Sequence, residues 1–388
     1  MSCATRACLA VGGAWVLEAG IHDDEPAAAR DRAVEWCRLA SSAGRAVIMS
    51  DRSSERPTPV FTGGTGKSGT TVVAALLGRH PDAYASVPRE IRLVTDRAGL
   101  LQLCYGPPRS TSVGRRVTFT LHRWVLPARN ERALLKEFTA QMNGAWWSRA
   151  GRTAESGLVR SVDRADLDVL VATFLRDFHS GAEQAARELV FGIIAHQDGY
   201  TGQRLWIDST PLNIANADRI ARLLPEARFV HMVRDGRDTA VSITRQRWGP
   251  NEPFEALRWW SDRLVHAWEG SRDLPPSSLL TLRLEDLVVH DREASLGRLS
   301  DFLGLSVAER MRSFFDTRMP ADKVRVGSWR SAVPDPNAFQ REYERLVARM
   351  LHAGVPAALL SAGDDLGEEP RPSPPACMHE APRSSGQS

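Results

Sequence analysis

The run Pro59-Val60-Phe61-Thr62-Gly63-Gly64-Thr65-Gly66-Lys67-Ser68-Gly69-Thr70-Thr71 constrains this chain more than any other stretch. A short apolar strand enters a cluster of small and glycine residues, then a lysine and hydroxyls, and the apolar segment Val72-Val73-Ala74-Ala75-Leu76-Leu77 follows as a helix. Glycines let backbone N–H groups approach an anion, a helix start offers unpaired donors and the positive end of its dipole, and lysine adds a full charge. Strand, glycines, Lys-Ser and helix in that order predict a phosphate-binding loop at the edge of an α/β sheet rather than an ordinary glycine-rich turn.

The spacing departs from the nucleoside triphosphate loop. If Gly66-Lys67-Ser68 ends a Gly-x-x-x-x-Gly-Lys-Ser/Thr pattern, the first glycine falls on Phe61. With Gly63 and Gly64 before Lys67-Ser68-Gly69-Thr70-Thr71, the loop instead resembles the 5′-phosphosulfate loop of sulfotransferases that use 3′-phosphoadenosine 5′-phosphosulfate (PAPS).

A second element supports the resemblance. Ala227 to Val233 reads as a buried strand that runs into Arg234-Asp235-Gly236-Arg237-Asp238 and then a helix through Ile243. Arg234 at the strand end and Ser242 on the first turns of the helix are placed to converge on one dianionic group. Val-Arg-Asp-x-Arg-Asp with a serine eight residues after the first arginine is similar to the 3′-phosphate site of the same family. Asp235, Arg237 and Asp238 are read as a charged turn paired within itself, and His231, between apolar neighbours, as a packing histidine.

Between these elements, Leu205 to Ile207 reads as a further strand, Thr210 as a helix N-cap and Pro211 as the start of a helix through Leu224. The strand-terminal Asp208 has the position of a metal-binding Walker aspartate, which keeps a phosphotransferase of the nucleotide kinase type as an alternative. After Ser278 to Arg283, another strand, Leu284-Glu285-Asp286-Leu287 is similar to the family's Tyr-Glu-Asp-Leu segment with leucine for tyrosine. Lys323 to Arg330 forms a basic loop resembling the family's late Gly-x-Trp-Lys/Arg cofactor loop; the resemblance implies a 3′-phosphate contact from Arg330 and a nucleotide cover from Trp329.

Residues 105 to 200 carry helical periodicity at Glu131–Met142, Ala165–Phe178 and Ala182–Ile194, the last preceded by a Ser180/Glu183 capping-box pattern. A helical insertion is the expectation, with Trp146 and Trp147 in the core. Residues 1–56 form an N-terminal extension, partly disordered, with one helix at about Glu25 to Ala43; residues 57–360 form the main domain and 361–388 a disordered tail rich in Pro, Ser, Gly and Glu. Met49 marks a start from which residues 1–48 are expected to be dispensable.

Acidic and basic residues nearly cancel, so a net charge of +3 gives no reason to expect nucleic acid as a partner. Basic residues are almost all arginine; of the three lysines, 67, 136 and 323, one lies in the phosphate loop, where a compact ammonium serves the chemistry. Five scattered cysteines imply neither zinc nor disulfides and suggest a reducing, cytoplasmic setting. No apolar run reaches the length of a membrane helix. Ala7 to Leu17 only faintly resembles a signal peptide, since it holds two glycines and no small-x-small site follows.

The resemblance covers about residues 58 to 350. It implies a three-layer α/β domain, a parallel sheet flanked by helices as in P-loop nucleotide kinases, that transfers a sulfuryl group from PAPS without a metal to a hydroxyl or amine of a small-molecule, carbohydrate or lipid acceptor. In that reading Gly66, Lys67, Ser68, Gly69, Thr70 and Thr71 hold the 5′-phosphosulfate, Lys67 stabilises the leaving oxygen, and Arg234, Ser242, Trp329 and Arg330 bind the rest of the co-substrate. Glu90, soon after the second strand edge towards which His80 to Ser86 leads, looks like the family's carboxylate base; His122 and His196 are the other candidates. A non-catalytic nucleotide-binding module is the remaining alternative.

Overall fold

A computed structural model describes residues 56–107, 127–150 and 155–360. The expected helix at 25–43, the Met49 start, His122 and the tail from 361 lie outside the described residues. In chain order, β1 (Thr58–Gly64) is followed by α1 (Thr70–Leu77), β2 (Ala83–Ala85), α2 (Leu100–Tyr105) and α3 (Pro127–Asn143). A short antiparallel pair, β3 (Arg149–Ala150) and β4 (Glu155–Ser156), precedes α4 (Arg164–Asp177) and α5 (Ala182–Ala195). Then come β5 (Leu205–Asp208), α6 (Ala217–Leu223), β6 (Arg228–Val233), α7 (Gly236–Thr244), α8 (Pro253–Ser271) and β7 (Leu279–Arg283). The described chain closes with α9 (Arg292–Leu303), α10 (Glu309–Arg318), α11 (Trp329–Ala332) and α12 (Pro336–His352).

β1, β2, β5, β6 and β7 make one parallel sheet in the order β2-β5-β1-β6-β7. Parallel strands need crossovers that cover both faces, which is why β1 is buried almost throughout. Alternate residues serve opposite layers. Phe61, Trp206 and Phe229 point to one face, with Phe61 stacked on Phe229 at 5.9 Å and edge-on to Trp206 at 6.1 Å, and pack with α2, α3, α4 and α5. Val60, Leu205, Ile207, Val230 and Met232 point to the other, against α1, α9 and α10. A third cluster joins α7, α8 and α12 around Trp260 and Phe339. The three-layer α/β expectation therefore holds, with helices over residues 127–143, 164–177 and 182–195 where helical periodicity occurs in the sequence.

Local details differ from the sequence reading in two places. Ser180 does not cap α5: Gly181 occupies that position without a side-chain bond, and Glu183 pairs instead with Arg222 at 2.8 Å. Thr210 holds the expected N-cap position with Pro211 first in the turn, but its hydroxyl makes no cap bond, and Pro211–Asn216 is a 3-10 turn that delays α6 to Ala217. Asp208, two residues earlier, accepts the Thr210 N–H at 3.0 Å and the Asn213 side-chain amide at 2.6 Å, which pins both ends of the first part of this turn to β5.

His231 is a core residue, 1% exposed, and burial in apolar surroundings lowers its pKa from 6.5 to about 4. The unfolded chain therefore takes up the proton first as pH falls, and stability present above 6.5 is lost between pH 6.5 and about 4. At ~1.4 kcal/mol per pH unit the loss is about 3 kcal/mol. Urea unfolding at pH 7 and pH 4.5 is expected to show a smaller acid loss for His231→Leu than for the wild-type chain; equal losses would remove His231 as the cause.

Candidate active site

The loop between β1 and α1 turns by left-handed backbone. Gly66 has φ +83°, Lys67 +57° and Gly69 +98°, three such residues within four positions. For lysine this conformation is uncommon and strained, so the surrounding contacts must hold it. One is visible: the Arg234 guanidinium donates to the Lys67 carbonyl at 3.2 Å, which couples the two elements singled out in the sequence. Glycine is required at position 64 for space, since a Cβ there would lie 2.3 Å from the Met232 carbonyl oxygen on the neighbouring strand. The helix that follows has no side-chain cap and no acidic residue in its first turn, leaving the early N–H groups and the dipole for an anion. Beside them Ser68 Oγ is buried without a hydrogen-bond partner.

Lys67, Gly69, Thr70 and Thr71 share a cavity of about 340 Å³ with Arg234 and Ser242. Its remaining lining is Val72, Leu284, Val288, Arg318, Met319, Lys323 and Val324. Lys67, Arg234, Arg318 and Lys323 give it four cations, and among the described residues no carboxylate lines it. Arg234 Nε, like Ser68 Oγ, is buried with no partner. The site thus has cations and donors around an apolar floor, the makings of a pocket for a polyanion that carries a flat apolar group.

Four buried carboxylates build the walls without entering the cavity. Asp235 caps α7, accepting from the Arg237 and Asp238 N–H groups at 2.8 and 3.2 Å, and pairs with the Arg237 guanidinium at 2.6 Å. Asp238 binds the late loop through the Gly327 N–H at 2.7 Å, the Ser328 hydroxyl at 2.9 Å and the Trp329 N–H at 3.0 Å. Glu285, fully buried, accepts the Asp235 N–H at 2.9 Å; burial first of all raises its pKa. The internal pairing expected of Asp235, Arg237 and Asp238 is thus present for Asp235 and Arg237, while the Asp238 carboxylate is turned to the late loop instead.

Asp208 is the fourth. It is 1% exposed, and besides Thr210 and Asn213 it accepts the Ile91 N–H at 2.6 Å. Asn213 also donates to the Thr62 carbonyl, so Asp208 ties β5 to β1 and to the turn carrying Glu90. Burial raises its pKa while these hydrogen bonds oppose the rise. Both oxygens are filled by protein donors, so the Walker-type metal reading is corrected: Asp208 is a structural anchor. Among the described residues there is no group of three or more His, Cys, Asp or Glu suited to a metal.

Glu90 lies beyond β2 on a turn held from several sides. The Ser209 N–H donates to the Arg89 carbonyl at 2.8 Å, Gln197 donates to Ser86 Oγ and the Val87 carbonyl at 3.0 and 2.7 Å, and Ser161 donates to the same Val87 carbonyl. The Glu90 side chain is 35% exposed beside a crevice with Trp146 and Arg149, at 3.8 Å from Arg92 and 4.0 Å from Arg149. Burial raises its pKa, Arg92 opposes this, Asp208 adds to the rise and Arg149 opposes it. His196 ends α5 with Nδ1 2.8 Å from the Gly192 carbonyl, turned back on its own helix.

The late loop enters the site differently from the sequence expectation. Trp329 is 3% exposed, packed near Phe339 and flanked by Arg237 and Arg330, so it has no open face to cover a nucleotide. Neither it nor the exposed Arg330 lines the cavity; Lys323 and Val324, six residues earlier, do. Sequence reasoning also missed Arg318 at the end of α10, because an arginine ending a helix carries no local mark of what it faces. Trp146 is buried against Phe138 and donates to Asp96, while Trp147 is half-buried.

The sulfotransferase family profile matches residues 59–309, and the chain belongs to that family. Among individual relatives, protein-tyrosine sulfotransferase 2 of Gallus gallus is 23% identical over 263 residues, covering 66% of this chain and 53% of that protein. The Drosophila melanogaster protein-tyrosine sulfotransferase is 23% identical over 239 residues, covering 60% of this chain and 36% of that one. The chain thus spans about half or less of the length of these relatives. Among solved structures, the sulfotransferase domain of the Synechococcus PCC 7002 olefin synthase matches with a TM-score of 0.42 and 18% identity, covering 76% of this chain and 96% of that one. No helix among the described residues is long and apolar enough to cross a membrane.

Removal of the Asp208 carboxylate leaves the Ile91 and Thr210 N–H groups unpaired in the core and the Asn213 amide with the Thr62 carbonyl alone. Asp208→Ala is expected to lose about 3 kcal/mol or more of stability in urea unfolding, and a loss under 1 kcal/mol would contradict its anchoring role.

Proposed function

We propose that the cavity binds PAPS and that the enzyme moves its sulfuryl group to an acceptor hydroxyl or amine of a small-molecule, carbohydrate or lipid substrate. The single observation that carries this reading is a cavity with four cations and no lining carboxylate among the described residues, shared by the α1 start and the Arg234/Ser242 pair. A ligand phosphorylated at both 5′ and 3′ positions needs two separated anion sites, and membership of the sulfotransferase family supports that donor. In this reading the loop N–H groups, Ser68 and Lys67 take the 5′-phosphosulfate, and Arg234 and Ser242 take the 3′-phosphate. Arg318 and Lys323 add charge, and Leu284, Val288 and Met319 offer the purine an apolar bed.

The donor supplies an activated sulfur: the acceptor oxygen or nitrogen bonds to it as its bond to the 5′-phosphate oxygen breaks, leaving 3′-phosphoadenosine 5′-phosphate. Lys67 faces charge developing on that leaving oxygen, and fixed charges of this kind are worth about 3 to 4 kcal/mol each in other enzymes. Glu90 takes the acceptor's proton on its carboxylate. Burial raises its proton affinity, with Arg92 and Arg149 opposing the rise, which makes it a stronger base than an exposed carboxylate. The Asp208 anchor and Gln197 hold its turn. The domain boundaries follow this reading: residues 57–360 make the catalytic domain, residues 1–56 an extension to it and 361–388 a tail.

Thermal-shift measurements test the donor directly. 3′-Phosphoadenosine 5′-phosphate without magnesium is expected to stabilise the protein, by about 2.7 kcal/mol at 100 times its dissociation constant. Stabilisation by ATP with magnesium alone would instead establish the kinase-type alternative. Arg234→Ala should weaken binding of the bisphosphate roughly 10- to 100-fold, and Lys67→Ala should lower kcat by about 10²- to 10³-fold.

Glu90→Gln is expected to keep bisphosphate binding and to lower kcat by roughly 10²- to 10⁴-fold. In the wild-type enzyme kcat should fall as pH drops through the raised Glu90 pKa, above the range of an exposed carboxylate. Arg92→Gln removes a charge that lowers that pKa, so the acid limb should move to higher pH. A limb that stays in place would take Glu90 out of the base role.

A further inference from the structure

We infer that the nucleotide pocket reads two phosphates and a purine ring but not which purine it is, so that 3′,5′-phosphorylated guanosine binds it as well as the adenosine compound does. This rests on the donor reading above and extends the same site to a second class of ligand.

In that reading the base lies against the aliphatic part of the lining, Val72, Leu284, Val288, Met319 and Val324. These side chains belong to one apolar cluster, in which Val288 and Met319 are each 1% exposed and Leu284 6%. Leu284 abuts the phosphate loop, for a Cβ on Gly69 would lie 2.7 Å from its Cδ1. Arg292 pins the bed: it donates to the Val288 carbonyl at 2.9 Å and to the Met319 carbonyl, and its guanidinium lies 4.4 Å from the Phe315 ring centre. A surface so anchored fits a flat ring by shape and area. Apolar contact discriminates weakly between rings of nearly equal size, whereas a site that pairs a ligand's polar groups rejects the ligand lacking them.

Selection of adenine requires a group that accepts from its 6-amino hydrogens. Among the described residues no Asp, Glu, Asn, Gln or His lines the cavity. The side-chain acceptors present are the hydroxyls of Thr70, Thr71 and Ser242, which belong to the two elements that take the phosphates. Of the bed's own carbonyls, those of Val288 and Met319 already accept from Arg292.

The other polar side chains near the bed are donors only. Arg318 and Lys323 directly precede or follow no carboxylate partner in the fold: both are exposed, make no ion pair among the described residues, and adjoin the bed residues Met319 and Val324 in sequence. Guanine carries two acceptors, O6 and N7, on one edge, and arginine and lysine donate to that edge; adenine carries a donor and an acceptor there. A donor-only rim therefore pairs with guanine and leaves the adenine amine to water.

Calorimetry on the full chain tests this with 3′-phosphoadenosine 5′-phosphate, 3′-phosphoguanosine 5′-phosphate and the two nucleoside 5′-monophosphates. The two bisphosphates are expected to bind with dissociation constants within about tenfold of each other, to compete for one site, and to bind at least about tenfold more tightly than the monophosphates. Arg318→Gln and Lys323→Gln each replace a donor-only group by an amide that also accepts. At least one of them should shift the preference towards the adenosine compound by about fivefold or more. A guanosine bisphosphate that binds more than about tenfold more weakly than the adenosine one, that fails to displace it, or whose relative affinity is unmoved in both variants overturns the inference and leaves the donor reading standing. Failure of the wild-type protein to bind the adenosine bisphosphate, or monophosphates that bind as tightly as the bisphosphates, overturns the donor reading itself.

Discussion

The Asp208 carboxylate, enclosed at the end of β5, is the interaction on which the rest of the site depends. It accepts two backbone N–H groups and the Asn213 amide, and through Asn213 it reaches the end of β1. A buried charge is costly unless its lone pairs are filled, and filling them here draws three chain segments to one point. The glycine-rich loop leaves β1 two residues after Thr62, and Glu90 sits next to Ile91, so one carboxylate ties the loop's strand to the Glu90 turn.

The β6 side repeats this logic with different residues. Glu285 holds the Asp235 N–H, Asp235 caps α7 and orients Arg237, and Asp238 gathers the loop that brings Lys323 and Val324 to the cavity. Negative charge is spent on backbone N–H groups behind the site, and positive charge faces the cavity. That segregation leaves Lys67, Arg234, Arg318 and Lys323 without carboxylates among the cavity-lining residues, as a polyanion requires. It also explains how a lysine in a left-handed conformation persists: Arg234 holds its carbonyl from the neighbouring strand.

Local signals in the sequence were reliable where one segment contains its own reason. The β1–loop–α1 unit, the β6–turn–α7 unit and the three helices between residues 127 and 195 all appear where periodicity and turn residues put them. The misreadings arose where a distant partner decides. Asp208 looks like a metal ligand until Ile91, Thr210 and Asn213 are seen to fill it. Trp329 looks like a cover until Phe339, Arg237 and Arg330 surround it. Thr210 holds the N-cap position before Pro211 without a side-chain bond, its own N–H held by the Asp208 carboxylate.

The order of glycines, lysine and hydroxyls after an apolar strand, and the Arg-Asp turn with its serine, determined by themselves a glycine-rich strand–loop–helix unit and a charged strand–turn–helix unit. Backbone conformation and helix starts are local, so they can be read locally. Only the tertiary structure decided that Lys67, Arg234 and Ser242 share one cavity, that Arg318 and Lys323 line it while Arg330 does not, and that Trp248 stands over Gly66. Those facts depend on which side chains meet across the β1–β6 edge and between α7, α8 and α10, and long-range packing of that kind leaves no mark at the residues themselves.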